Sequence, residues 1–247
     1  MSSDPRGIPQ HRVRRAFMRL GIRILCKLLI RLRIEGAERL PKTGPLLIVG
    51  NHFHFADPVV VIRAVAGQME FLGGSQLPNA PRAIRWIPKL WGYYAVRRGT
   101  GSRAALKHAE DLLRRGGRVA LFPEGGSWAS VLRPARPGTA FLATRTGASI
   151  VPVGIDGMTE IFTMLRRFRR ATVTVRFGDV IGPFSADGKG RERRDALDLI
   201  GETIMRAIAE LLPADRRGVF SDDSGVRDAA RDAAAYPWAP PKQNHPS

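Results

Sequence analysis

Two periods of apolar and polar residues divide this chain into elements. Across residues 11–33, HRVRRAFMRLGIRILCKLLIRLR, the apolar positions Val13, Phe17, Leu20, Ile24 and Leu28 recur every three or four residues. Arg12, Arg15, Arg19, Arg23, Lys27 and Arg31 recur at the same spacing on a neighbouring or opposite face. This pattern predicts a basic amphipathic helix over 11–33. PKTGP at 41–45 is a turn signal, and the apolar run LLIVG that follows predicts a buried strand ending at the polar stretch NHFHFADP. PVVVIRAVAGQ predicts a helix opening at Pro58, whose fixed φ suits a first turn. EFLGG and GYYAVRR read as short strands, with a broken helix, PRAIRWIPKLWG, between them.

Ser102 can cap a helix running to about Arg115, closed by Gly116 and Gly117. RVALFPEG predicts a strand running into a loop over 126–137. Gly138 to Gly147 suits a helix, and SIVPVGI a buried strand whose Pro152 suggests an edge or irregular position. ATVTVRFGDVI alternates cleanly, as a half-exposed strand does. Leu197, Ile200, Ile204, Ile208 and Leu211 predict a helix over 191–212. After Pro213 the chain turns polar and proline-rich, which predicts a disordered tail over 214–247.

Strands alternating with helices predict a single α/β domain with a mixed, largely parallel central sheet flanked by helices, plus the N-terminal basic amphipathic helix. The expected organisation is a flexible segment 1–10, the helix 11–33, one folded domain 34–213 and the tail 214–247. Polar motifs fall at the ends of predicted strands, where open α/β sheets bind ligands.

Charge adds a partner class. Forty basic residues against 22 acidic ones give a net charge of +18. Lysines are confined to 27, 42, 89, 107, 189 and 242, so arginine dominates. Such a balance predicts an anionic partner: a membrane surface, nucleic acid or phosphorylated small molecules. No finger, RNA-recognition or basic-zipper signature is present, so nucleic acid is not expected. The single cysteine, Cys26, excludes an intramolecular disulfide framework and a Cys-based zinc site, and reads as a small packed residue. No signal peptide is expected, because Arg23, Lys27 and Arg31 interrupt the apolar stretch 22–32. With no run of 18 apolar residues, no standard membrane span is expected either. Periodicity alone leaves the basic helix two settings: a membrane interface, or its own domain with a solvated basic face.

Four short stretches carry candidate chemistry. In NHFHFADP, a neutral imidazole can take a proton, and a carboxylate on its other nitrogen fixes the tautomer. If His52 ends a strand and Asp57 opens the next helix, the turn can fold one onto the other. His54 can pair with Asp57 only if the segment between them is already helical, which Pro58 disfavours at Asp57. A purely structural use, with Asp57 as a helix cap, stays open. Arg97 and Arg98 at a strand end suit phosphate through charge-assisted forks, or form a solvated pair. In LFPEGG, Glu124 followed by glycines makes a tight turn with exposed amides. Glu124 can hold hydroxyls or orient a basic group there, or simply build the turn. Val151-Pro152-Val153 carries no side-chain chemistry.

Together these stretches resemble the glycerolipid acyltransferase family that includes lysophosphatidic acid acyltransferases. The family's histidine, four residues, aspartate motif matches His52 and Asp57. Its glycine followed six residues later by arginine matches Gly92 and Arg98. Its phenylalanine-proline-glutamate-glycine block matches Phe122, Pro123, Glu124 and Gly125, and its valine-proline block matches Val151 and Pro152. The resemblance covers about residues 34–180 and implies an acyltransferase domain over 34–213. It implies acyl transfer from acyl-CoA or acyl carrier protein to a lysophospholipid hydroxyl, most typically 1-acyl-glycerol-3-phosphate giving phosphatidic acid. In that scheme His52 is the general base, aided by Asp57, and Gly92, Arg97, Arg98, Glu124, Gly125 and Arg136 bind the acceptor. The acyl thioester is a co-substrate, and neither a cofactor nor a metal is expected. Residues 11–33 then associate with an anionic membrane surface at its cytoplasmic face.

The chain departs from the family pattern in two places. His54 stands where serine is usual, and Gly126, Ser127 and Trp128 replace threonine-arginine-serine. Acyl transfer to a different lipid, thioester hydrolysis and non-catalytic binding of an anionic lipid or nucleic acid are the alternative readings.

Overall fold

The computed structural model describes residues 12–74, 91, 94–96 and 102–234. Gly92, Arg97 and Arg98 lie outside the described residues, as do 1–11, 235–247 and all of the expected broken helix except Trp91.

Among the described residues, seven strands form one sheet: β1 (Ile30–Glu35), β2 (Leu46–Gly50), β3 (Glu70–Gly74), β4 (Tyr94–Val96), β5 (Arg118–Leu121), β6 (Ser149–Asp156) and β7 (Ala171–Phe177). Their spatial order is β1-β7-β6-β2-β5-β3-β4. Every neighbouring pair is parallel except β6 and β7. The mixed, largely parallel α/β sheet expected from the sequence is the one observed.

The described helices are α1 (Arg12–Leu29), α2 (Asp57–Ala64), α3 (Ser102–Arg114), α4 (Gly138–Thr146), α5 (Ile161–Arg166), α6 (Gly190–Glu210) and α7 (Ser224–Ala234). They cover both faces of the sheet, and β2 shows why. Its side chains alternate between two separate cores, as the pleat requires. Leu47 and Val49 join Leu113, Leu142, Ile204 and Ile208 beneath α3, α4 and α6. Leu46 and Ile48 join Val60, Val61, Met69 and Val173 beneath α1 and α2. A strand buried on both faces needs a continuous apolar run, and LLIVG supplies it.

Three expectations change. The helix over 11–33 ends at Leu29, and Ile30–Glu35 is the strand β1, parallel to β7. IRLRIE alternates strictly, but Leu32 also stands four residues after Leu28, and Ile30 four after Cys26, in step with the helix before it. Pro152 is not on an edge, since β6 lies between β2 and β7. The Pro152 carbonyl accepts from Gly178 N–H at 2.9 Å, just past the end of β7. Its missing N–H therefore falls where the regular ladder has stopped.

The third change concerns the expected tail. Residues 214–216 and 218–220 form 3-10 turns, and α7 runs to Ala234. Leu132 N–H donates to the Arg216 carbonyl at 2.9 Å, and Phe220 packs on the core containing Leu132 and Leu212. Asp223 Oδ1 caps α7 through Gly225 N–H at 2.7 Å. Alanine-rich α7 carries too weak an apolar pattern to stand out beside the proline-rich end that follows.

α1 is set on the body by two arginines. Arg15 makes a two-pronged ion pair with buried Glu70, at 2.6 and 2.7 Å, and its Nε donates to the Trp91 carbonyl at 2.9 Å. Arg19 donates to the carbonyls of Ile62 and Val65, each at 2.9 Å. Met18, Ile22, Cys26 and Leu29 face the core. The stripe read from the sequence, Val13, Phe17, Leu20, Ile24 and Leu28, faces outward instead, with Val13 and Phe17 each 71% exposed. A helix on a globular domain normally buries such a stripe.

Candidate active site

Strands β2 and β5 are parallel neighbours, so their carboxyl ends lie side by side. His52 follows β2, and Glu124 follows β5. The end of β2 is pinned first. Asn51 is fully buried, and its side chain donates to the Ile155 carbonyl at 2.8 Å and accepts from Ile155 N–H at 2.7 Å. Both amide groups are thereby matched to the backbone of β6, which fixes where the next residue starts.

The turn then folds as the sequence suggested. Asp57 opens α2, and its N–H donates to the His54 carbonyl at 3.0 Å. Its carboxylate turns back, with Oδ2 at 3.0 Å from Nδ1 of His52. The same oxygen accepts the backbone N–H of His54 at 2.8 Å. The outer pair is therefore the side-chain pair, and His54 serves Asp57 through its backbone. Asp57 is 1% exposed, so its charge acts through protein rather than water. With Nδ1 held by a carboxylate, Nε2 is the nitrogen of His52 left to accept a proton.

The His52 ring stacks on Phe122, with centroids 4.3 Å apart and planes 16° apart. His54 lies among the rings of Phe55 and Phe162. Burial lowers the His54 pKa, against the pull of Asp57 and with a smaller push from His52.

Glu124 holds the other side of His52. Its Oε1 accepts the His52 backbone N–H at 2.7 Å, and its Oε2 lies 3.0 Å from Nε of Arg133. Glu124 and Arg133 are each 2% exposed. Burial pushes the Glu124 carboxyl up to about 7, opposed by Arg133 and the His52 N–H. Arg133 also donates to the Gly126 carbonyl, and its guanidinium lies over the Trp128 ring, 3.4 Å from the centroid. Gly125 adopts φ 78°, and a Cβ there would sit 2.9 Å from Cδ and Nε of Arg136. Arg136 is exposed and is tied back by its N–H to the Pro123 carbonyl at 2.8 Å.

His52 and His54 also line a cavity of about 430 Å³ beneath α1. Ile22 and Leu29 of the first helical segment form one wall, and Ile161 and Leu165 of α5 form another. Phe71 and Phe122 close it from the sheet side. The walls are almost wholly apolar, so the two imidazoles mark its polar end. Its size falls in the range of ligand pockets.

The structure thus gathers His52, Asp57, Glu124, Gly125 and Arg136 around the adjacent carboxyl ends of β2 and β5. Sequence reasoning missed Asn51, the Phe122 stack, the Arg133–Trp128 support and the cavity. Asn51 had one available signal: a lone amide between a buried strand and a functional histidine. Arg133 was legible only as a basic residue that could stand in for the arginine missing from the family pattern. Buried against Glu124, it instead supports that carboxylate, a pairing across a loop that leaves no sequence signal.

Comparison with known proteins points to one family. The family model described as Acyltransferase matches residues 31–156. A 1-acyl-sn-glycerol-3-phosphate acyltransferase of Borreliella burgdorferi is 29% identical over 135 residues, covering 54% of this chain and 54% of that protein. The human 1-acyl-sn-glycerol-3-phosphate acyltransferase alpha is 27% identical over 201 residues, covering 76% of this chain and 68% of that protein. The chain therefore spans about half the length of the first relative and about two thirds of the second. The crystal structure of the 1-acyl-sn-glycerophosphate acyltransferase PlsC from Thermotoga maritima shares the fold, with a TM-score of 0.51 and 20% identity over 80% of this chain and 82% of that one.

Proposed function

Since the chain belongs to the acyltransferase family, we propose that it moves a fatty acyl group from an acyl thioester to the hydroxyl of a lysophospholipid. The acceptor that its relatives' names support is 1-acyl-glycerol-3-phosphate, which gives phosphatidic acid. One observation carries this reading: His52, paired with Asp57 at 3.0 Å, lines an apolar cavity of about 430 Å³. A proton acceptor beside a hydrocarbon-lined space suits a reaction between a hydroxyl and a fatty acyl carbonyl.

In this mechanism Nε2 of His52 takes the hydroxyl proton as the oxygen attacks the thioester carbonyl carbon. Asp57 stabilises the imidazolium that forms. The tetrahedral centre collapses, the carbon–sulfur bond breaks, and the thiolate takes the proton back from His52. Acyl-CoA and acyl carrier protein both supply such a thioester. The acyl chain occupies the cavity. Arg136 meets the acceptor phosphate, with Gly125 leaving room for its side chain, and by the family pattern Gly92, Arg97 and Arg98 join it in binding the acceptor. Glu124 acts differently from the acceptor ligand that the family pattern suggested. Buried, with its oxygens on His52 N–H and Arg133, it is a positioning residue that fixes the backbone of the base.

The outward apolar stripe of α1 supports a peripheral setting on a membrane, where lipid acceptors reside. Among the described residues no helix is long and apolar enough to cross one. Thiol release from acyl thioester tests the reaction. Release that requires the lysolipid, is abolished in His52→Ala and largely survives in His54→Ala supports the proposal. Release that ignores the acceptor indicates thioester hydrolysis. Equal loss in both variants removes His52 as sole base.

A further inference from the structure

The chain leaves α5 as Arg166, Arg167, Phe168, Arg169 and Arg170. All five residues are exposed, and Phe168 completely so. Phe168 also has φ 54°, in the left-handed region that a bulky L-residue rarely enters. The hydrogen bonds identify the position. Arg169 N–H donates to the Met164 carbonyl at 2.9 Å, and Phe168 N–H to the Leu165 carbonyl at 3.0 Å. This is a Schellman closure of α5, with Phe168 where glycine usually stands. One residue thus combines a strained backbone with a ring fully in water. Neither feature stabilises the fold, and glycine would avoid both.

A lipid interface suits this arrangement. An aromatic ring partitions to the boundary between headgroups and acyl chains, and arginines beside it meet lipid phosphates. Each basic group near an anionic leaflet adds to the attraction. The location fits as well. Arg170 Nη1 donates to the Lys27 carbonyl at 2.9 Å, which sets the turn against the C-terminal end of α1. There Ile24 and Leu28 point outward. Phe162 and Leu165 of α5 line the cavity that α1 roofs.

We propose that residues 166–170 form a second membrane contact, a Phe168 wedge ringed by arginines that inserts into an anionic phospholipid bilayer beside the cavity. It rests on the peripheral membrane reading of α1 given above. The two contacts flank the cavity and hold it against the lipid surface that supplies the acceptor.

The test is co-sedimentation with vesicles of phosphatidylcholine containing graded phosphatidylglycerol, at low and high salt. Wild type, Phe168→Gly, Phe168→Trp and Phe17→Asp are compared, with thermal melting of each. Phe168→Gly is expected to bind about tenfold more weakly, yet to melt no lower than wild type, since glycine suits its backbone. Phe168→Trp is expected to keep wild-type binding, and wild-type binding is expected to fall with salt and with less phosphatidylglycerol. Wild-type binding by Phe168→Gly overturns the wedge, as does equal loss in Phe168→Trp. If Phe17→Asp loses binding while Phe168→Gly keeps it, the wedge falls and the α1 contact stands. If wild type ignores every vesicle, both fall.

Discussion

Removing the charge of Asp57 while keeping its shape isolates the step on which the mechanism depends. In Asp57→Asn, an amide oxygen can still accept a hydrogen bond, so the turn that closes onto His54 N–H keeps a partner. What disappears is the negative charge 3.0 Å from Nδ1 of His52. At that separation, with an effective dielectric near 20, Coulomb's law gives about 5 kcal/mol of attraction for a full imidazolium. The transition state develops only part of that charge, so about 3 to 5 kcal/mol is at stake, or roughly two to four powers of ten in rate. The 1% exposure of Asp57 means that little water replaces the lost charge. The assay is single-turnover acyl transfer at saturating lysolipid, with the melting temperature as a check on folding. A folded Asp57→Asn that keeps more than about a tenth of the wild-type rate refutes the reasoning. In that case the aspartate would serve the turn and not the chemistry.

Three further outcomes follow from the same geometry. The Glu124 carboxyl rises from 4.5 to about 7 on folding because it is buried. The folded state therefore holds the extra proton between those values; the stability this contributes is full below 4.5 and is lost as pH rises through about 7. Relative to Glu124→Gln, wild type should lose about 2 to 3 kcal/mol between pH 5 and pH 8 in urea unfolding; a difference flat with pH means that Arg133 outweighs burial. Gly125→Ala, with φ 78° and its new Cβ against Arg136, should lower unfolding free energy by about 1 to 2 kcal/mol, and an unchanged urea midpoint would contradict that. Ile22→Trp narrows the cavity beneath α1 and should shift product toward shorter acyl chains in a mixed-thioester assay. An unaltered chain-length profile would place the acyl group elsewhere.

Much of the fold was legible because β2, β5, β6 and β7 have patterns with one reading each. LLIVG has no polar position to offer solvent, and ATVTVRF has Thr172, Thr174 and Arg176 at alternate places, although Thr174 is buried and the strand is less exposed than its alternation suggests. The His52–Asp57 pair was legible for a local reason: both residues lie in one turn, and Pro58 constrains its geometry. The support of Glu124 by Arg133 and Trp128 was not legible, because ion pairs across a loop leave no periodic trace. Nor was the orientation of α1. Periodicity divides a helix into faces but does not say which one meets the body. Here Arg15 and Arg19 find buried partners at Glu70 and the α2 carbonyls, and the stripe at Val13, Phe17 and Leu20 is left outside. β1 was hidden because a strand entered directly from a helix inherits its apolar spacing.

The central claim is that His52, held by Asp57, takes the proton of a lysolipid hydroxyl as that oxygen attacks the acyl thioester. Mass spectrometry of the lipid formed from 1-acyl-glycerol-3-phosphate and a labelled acyl thioester tests it most directly. Labelled phosphatidic acid from wild type, and none above background from an equally folded His52→Ala, is the predicted result. Labelled product from His52→Ala at the wild-type rate would contradict it.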